Sequence, residues 1–453
     1  MERPKFTLWL ILLGFFFIDF TRSMLLPNLV TISHLYFGPG TFEAVEIGLL
    51  VTAQMGASAA ACLIFGILAD RKTRKNMVLI ALTFWLTGLL LITFAFNYYM
   101  LLIGQLLLGF GSGGYIPVIQ AVIGDATPVE KKGQVYGWSS ILWSLGFFSG
   151  ILFGSVFSPN WQLPFLISAI PLIILTVLYW IRGTSFKVGR HEEELKEVFA
   201  KDKAYIYDYR VSWKSFKGIL KNKTNVLVFI EGISSVFGIS MILLYFFPFL
   251  EEGPAKISPM IVGLVMLLVI FPVEFGGILL WGKIGDRLVG KFPRIRVLLI
   301  ALCFTITVPL FTLAFWTKGS PAAETTTLWA AFTNPGILLF IILFALGEFF
   351  IVIYSPNQPP IINAINLPET QGSVFALNRF VEELGGALGP LVIGIIFEAT
   401  AQDYSLAMTL GMMFMIPGTI CWWIIMKTYM GDRTSVQITL SERARQANNT
   451  HQR

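Results

Sequence analysis

Charge is what this sequence has least of. Only 13% of its residues are Asp, Glu, Lys or Arg, against about 25% in a soluble globular protein. At 453 residues, an ordinary chain would form about three soluble domains. Too few charges remain here to coat such a surface, which excludes a soluble enzyme or a secreted domain. Cysteine is scarce as well. Cys62, Cys303 and Cys421 lie far apart in apolar stretches with no CxxC among them, which excludes a disulfide framework. His34, His191 and His451 are isolated, so no histidine-rich metal site is expected. Nothing in the chain forms a catalytic constellation. The reading is of a protein that is not an enzyme and needs no cofactor and no metal.

What fills the chain is apolar. Hydrophobic residues make up 55% of it, with 40 Phe and 12 Trp, and the mean hydropathy is +0.72. Residues 77–124 and 134–181 contain no Asp, Glu, Lys or Arg. A helix needs about 20 residues to cross the hydrocarbon core, so each run reads as a helix hairpin. The turns are expected at Asn97 and at Ser158-Pro159-Asn160. The same reading gives twelve spans, near 6–31, 46–69, 77–96, 98–124, 134–157, 162–182, 225–250, 259–285, 296–316, 336–366, 371–400 and 404–429. The weak ten-residue alternation of a transmembrane barrel is absent. The first span is too long, and lacks a cleavage site, for a signal peptide.

The net charge of +6 marks topology, not a nucleic-acid partner. With both termini on the cytoplasmic side, 29 of the 33 Lys and Arg fall in inside segments. Only Lys256 and Lys318 fall in outside loops, and Arg22 and Arg379 fall within spans. The positive-inside rule then places both termini in the cytoplasm of a cell with this protein in its plasma (inner) membrane. The expected organisation is a six-helix bundle over 1–182, a cytoplasmic linker over 183–224, a second six-helix bundle over 225–430 and a tail over 431–453. The segment 211–223 alternates apolar residues with Lys214, Lys217, Lys221 and Lys223. It suits a helix lying on the inner leaflet or packing against the bundle.

The two halves repeat. Gly66-Ile-Leu-Ala-Asp70-Arg71-Lys-Thr-Arg74-Lys75 follows the second span, and Gly282-Lys-Ile-Gly-Asp286-Arg287 follows the eighth. Gly104-Gln105 and Pro117 recur as Gly347-Glu348 and Pro360; Gly146, Gly150 and Gly154 recur as Gly386, Pro390 and Gly394. On these motifs the sequence resembles the major facilitator superfamily over nearly its whole length. Thr73 stands where that family's loop often has glycine. The resemblance implies an all-α membrane protein of twelve transmembrane helices in two pseudo-symmetric six-helix bundles, working as a secondary transporter. Its substrate site would lie near the midplane, between the halves. It also implies that Gly66, Asp70, Arg71 and Arg74, with Asp286 and Arg287, latch the halves in one state.

A narrower likeness joins Phe17-Ile18-Asp19-Phe20…Leu26-Pro27 and Gly109-Phe-Gly-Ser112-Gly-Gly-Tyr115…Pro117 to spinster-like lipid transporters. The glutamate of that second motif is Ser112 here, and the arginine after the aspartate is Phe20. The GxGxxG at Gly109, Gly111 and Gly114 lies mid-span, where small residues favour close helix approach over a dinucleotide site. Gly277 to Lys283 starts like a phosphate-binding loop, but Ile284 stands where Ser or Thr would hold magnesium. The sequons at Asn222 and Asn448 face the cytoplasm and are expected to be unused.

Charges within spans cost several kcal/mol, roughly 2.5–3.5 at a helix centre on insertion scales, so they are the leading functional candidates. Asp19 and Arg22 share a helix face and can pair. Arg379 similarly meets Glu382 and Glu383, which cannot both easily hold a charge if dry. Glu231 and Glu348 are expected to face the cavity and to exchange protons, with Glu274 as a brace. Gln105 and Tyr115 complete the substrate and coupling candidates. The expected partners are the bilayer, a small-molecule substrate and protons, and the protein is expected to be a monomer. Aromatic cavity walls with few cations suit a lysolipid or hydrophobic compound; the alternatives are a small hydrophilic solute, or a receptor or scaffold on the same fold.

Overall fold

The computed structural model describes residues 3–40, 42–69, 73–126, 129–184, 218–253, 255–317 and 325–451. Twelve helical spans run through them. The first half comprises α1 (Arg3–Ser23, resuming as Leu29–Phe37), α2 (Ala44–Ala69), α3 (Arg74–Thr93), α4 (Tyr98–Ala126), α5 (Val129–Val156) and α6 (Leu163–Arg182). The second comprises α7 (Lys223–Glu251), α8 (Pro259–Val289), α9 (Ile295–Phe315), α10 (Pro335–Ala364), α11 (Pro368–Ala399) and α12 (Tyr404–Met413, resuming as Ile416–His451). Eleven are long and apolar enough to cross a bilayer, and the apolar part of α5, Ile141–Val156, supplies the twelfth crossing. Among the described residues no sheet forms; one isolated bridge joins Ile257 to Thr325. A bilayer permits this because a helix satisfies every backbone polar group within itself.

The hairpin turns fall where the charge-free runs suggested. Asn97 caps α4 by accepting the Met100 N–H at 2.8 Å, and Ser158–Asn160 forms a single 3-10 turn. Through the stretch expected to be a tail, α12 continues as a helix to His451. No proline after Pro417 interrupts that stretch. Its register is fixed by Asp432, which accepts the Thr224 hydroxyl at 2.6 Å and the Thr224 N–H at 3.1 Å. The sequon residue Asn222 is the N-cap of α7, and its amide also donates to the Ile365 carbonyl at 2.9 Å. Most of the proposed inner-leaflet helix, 211–217, lies outside the described residues.

Four spans are discontinuous, and proline accounts for three breaks. Pro27 sits in the 3-10 turn Leu26–Asn28 that interrupts α1. Pro272 follows a π-helical turn over Met266–Ile270 in α8. α10 loosens at Val352 and Ile353, just before Pro356, Pro359 and Pro360. Proline lacks the N–H that would bond one turn back, and the released carbonyls need other donors. Arg296 supplies one, its Nη1 donating to the Pro356 carbonyl, one turn before Pro360, at 3.4 Å. α12 bends between Met413 and Ile416.

The halves meet along α2 with α11 and along α5 with α8. Contact is closest at the end away from the termini. A Cβ at Gly48 would collide with the Pro390 carbonyl, so only glycine lets α2 and α11 approach there. Phe42 packs edge-on against Tyr245 and Phe397 across the divide, at 5.7 and 6.1 Å. His34 Nε2 lies 3.2 Å from Glu252 Oε1, which joins the end of α1 to that of α7. One apolar core runs through both halves at this end, from Leu29 and Ile47 to Tyr245 and Phe397. Toward the termini the second half keeps a separate core around Val228, Val297, Phe304 and Trp422. Among the described residues, the apolar core is thus shared by both halves at one end and separate at the other.

Candidate functional site

The breaks in α1, α8 and α10 lie beside intramembrane charges. Asp19 and Arg22 precede the first, Glu274 follows the second and Glu348 precedes the third. Discontinuous helices of this kind mark the binding region of many transporters. The charges separate into two groups.

The first group crosses the divide between α1 and α11. Arg22 turns away from its expected partner. Its Nη2 donates to Ser58 Oγ at 2.7 Å and its Nε to Ser112 Oγ at 3.0 Å. Ser58 and Ser112 are on α2 and α4, so the guanidinium pins three helices of the first half together. The i,i+3 pairing with Asp19 is therefore not formed, because two neutral acceptors already use the fork. Asp19 is buried and lies within electrostatic reach of Arg22, Arg379 and Glu383. The sequence showed Ser112 as a departure from a glutamate motif; in the fold that position still receives the arginine.

On α11, Arg379 does pair as its spacing suggested. Its Nη2 is 2.6 Å from Glu383 and its Nη1 is 3.5 Å from Glu382. Its guanidinium also lies 5.6 Å from the centroid of the Trp143 ring on α5, a cation–π contact across the divide. Glu382 Oε1 further accepts from Tyr354 at 2.8 Å and from Asn378 at 2.7 Å. Gln358 donates to the Tyr354 hydroxyl. Glu231 is fully buried on α7. Its Oε1 accepts from Ser235 at 2.9 Å, and Trp422 and Tyr354 lie close to the same carboxyl. Nothing in the sequence pattern identified Asn378, Gln358 and Trp143 as partners, since neutral side chains in a span carry no cost signal.

The second group faces an apolar cavity of about 640 Å³, enclosed by α5, α7, α8, α9 and α10. Glu274 and Glu348 are its two carboxylates, within electrostatic reach of each other. Ser144 on α5 donates to Glu274 at 3.5 Å, which gives Glu274 a contact across the halves in addition to any bracing role. Phe147 and Phe148 line one wall; Phe246, Phe271 and Phe344 line the others. No Lys, Arg or His lines it among the described residues.

The remaining candidates lie elsewhere. Tyr115 is buried inside the first half, donating to the Ile11 carbonyl at 3.3 Å and packing on Trp85 at 5.9 Å. Gln105 is buried on α4 with no hydrogen-bond partner for either amide atom among the described residues. Neither lines the cavity. A Cβ at Gly109 would collide with the Gln54 carbonyl, so that glycine serves helix packing. Asp286 bonds to Arg296 of α9, and Arg296 also donates to Asn357 Oδ1 of α10 at 3.0 Å. This tie is internal to the second half and does not use Arg287. Gly66 is half-buried with open space around its Cα, and Arg74 begins α3. Asp70 and Arg71 lie outside the described residues.

Residues 11–323 match the family model described as Major Facilitator Superfamily. Over 444 residues the chain is 28% identical to a protein of Lactococcus lactis subsp. lactis named "Multi-drug resistance efflux pump PmrA homolog", covering 96% of this chain and 98% of that one. A 107-residue stretch is 33% identical to "MFS transporter L2" of a Phoma species. That stretch is 23% of this chain and spans only 18% of the relative's length. A solved structure of a bacterial homolog to the human lysosomal transporter Spinster, inward-facing and unoccupied, superimposes with a TM-score of 0.75. It covers 96% of this chain and 99% of that one at 16% identity, a likeness of fold.

Proposed function

The chain belongs to the major facilitator superfamily and is a multi-pass secondary transporter; from that premise we propose that it carries a hydrophobic or amphipathic small molecule across the plasma membrane by alternating access. The observation that carries this reading is the cavity of about 640 Å³. Its volume falls within the range of drug-sized sites, roughly 300–1,000 Å³. Its walls offer aromatic surface and few hydrogen-bonding groups, where a sugar would want many. The relative named as a multi-drug efflux pump is consistent with such a substrate. Under the positive-inside reading, the end with the shared core is the outer one, and the state described is inward-facing. The resting pose would be exchanged for its opposite by parting α2 from α11 and α5 from α8.

Proton coupling is part of the proposal. Glu231 and Asp19 are buried acids and Glu348 is half-buried at the cavity wall; each is on a span that lines or abuts the divide, and a carboxyl there can exchange a proton for substrate as access alternates. The test is flux in proteoliposomes, with and without a proton gradient, using lysophospholipids, lipophilic cations and small sugars. We expect gradient-driven accumulation of a hydrophobic compound by the wild type. We expect Glu231→Gln to lose accumulation while keeping gradient-free counterflow. If Glu348→Gln, Glu231→Gln and Asp19→Asn all accumulate substrate as the wild type does, these carboxyls do not couple protons to transport. Flux confined to small sugars would defeat the hydrophobic reading.

A further inference from the structure

The intramembrane acids differ in one respect. Glu382 and Glu383 have Arg379, and Asp19 has Arg22 and Arg379 within electrostatic reach. Glu274 and Glu348 face the cavity together, and no basic side chain lines it among the described residues. Glu274 accepts from the neutral Ser144 hydroxyl at 3.5 Å. Two carboxyls in one apolar chamber are a costly arrangement that an arriving positive charge would relieve.

The walls fit the same occupant. Phe147, Phe148, Phe246, Phe271 and Phe344 surround the carboxyls, and aromatic faces attract cations as well as apolar bodies. The rim residues Ile141, Phe275 and Leu279 are apolar and exposed, so an occupant meets hydrocarbon at the mouth. Arg22 and Arg379, the cations that a phosphate headgroup would need, are committed to the other cluster and do not line this cavity.

Resting on the transport reading above, we propose that the substrate class is lipophilic organic cations, with the positive charge held between Glu274 and Glu348 and the apolar body on the phenylalanine walls. Glu274 is thereby a binding residue. A lysolipid, whose phosphate would approach the same two carboxyls, is disfavoured.

The experiment is equilibrium binding to the purified full-length protein with two probes of matched shape and opposite charge, tetraphenylphosphonium and tetraphenylborate. The cation is expected to bind saturably, and the anion not to bind. Glu274→Gln and Glu348→Gln should each weaken the cation by roughly tenfold or more, the scale of a buried charge losing its counter-charge. Glu274→Asp should retain most of the affinity. On the wild type, tetraphenylphosphonium should protect both glutamates from a hydrophobic carbodiimide, read by peptide mass spectrometry; this serves even where a variant fails to fold. Equal affinity for the two ions, unchanged affinity in both glutamine variants, or no protection would overturn the inference. If the cation does not bind while proteoliposomes still carry a neutral or zwitterionic hydrophobic compound, this inference falls and the transport reading stands. If no compound is carried at all, the transport reading falls.

Discussion

Removing Arg379 should cost stability in a way that is not additive with removing its partner Glu383. Arg379 is the cation directly paired with Glu383, at 2.6 Å, and it also lies 3.5 Å from Glu382. The two acids keep only 4% and 9% exposure, while the arginine side chain keeps 42%. Breaking a fully buried pair costs about 3–5 kcal/mol, mostly the uncompensated charge left behind. The exposure of Arg379 screens part of this, so Arg379→Gln should cost about 2–3 kcal/mol. Glu383→Gln should cost less, about 1 kcal/mol, because Arg379 still has Glu382. In the double variant Glu382 remains, and it keeps its bonds from Tyr354 and Asn378. The double should therefore be more stable than the sum of the singles by about 1–3 kcal/mol. The assay is thermal unfolding of the purified protein in detergent, where a chain this long moves by roughly 1–2 °C per kcal/mol on extrapolated size scaling. Strict additivity of the two singles would refute the argument, since it would mean that the arginine and Glu383 do not feel each other.

Two further outcomes are expected. With Cys62, Cys303 and Cys421 replaced, cysteines at Lys291 and Gln402 should react with an impermeant thiol reagent from opposite faces of the membrane, Gln402 from outside; labelling of both from one side would overturn the topology. Asp286→Asn weakens the hold on Arg296 and should lower flux while leaving the protein folded, as should Asp70→Asn; unchanged flux in both variants would remove any switching role for these loops.

The fold was legible because its signal is collective. A charge-free run of 48 residues has room for two crossings whatever its individual side chains do, and Asn97 and Ser158–Asn160 fell at the turns it required. The paired charge of Arg379 was legible for a local reason: residues three and four apart on a helix are neighbours that can meet. The same rule misplaced Arg22. Spacing says which groups can touch, but it does not count competitors arriving from other helices, and Ser58 and Ser112 arrive from α2 and α4. The span read as 404–429 is the membrane crossing alone; polarity beyond it ends the crossing and not the helix, which runs on to His451.

The grouping of Glu274 with Glu348 was not legible, and it is what the functional argument turns on. Along the chain, Glu382 has Arg379 three residues before it, but nothing marks Glu274 and Glu348 as sharing one chamber. The difference lies in what faces them. Glu382 shares α11 with its cation, so its charge is balanced within one helix and can move with that helix as a unit. Glu274 and Glu348 are on different helices, α8 and α10, each beside a break in its helix. A ligand held between them would couple two elements that have separate freedom to bend, whereas a structural ion pair would remove that freedom. Balanced acids therefore suit the frame, and the unbalanced pair at the breaks suits the cargo.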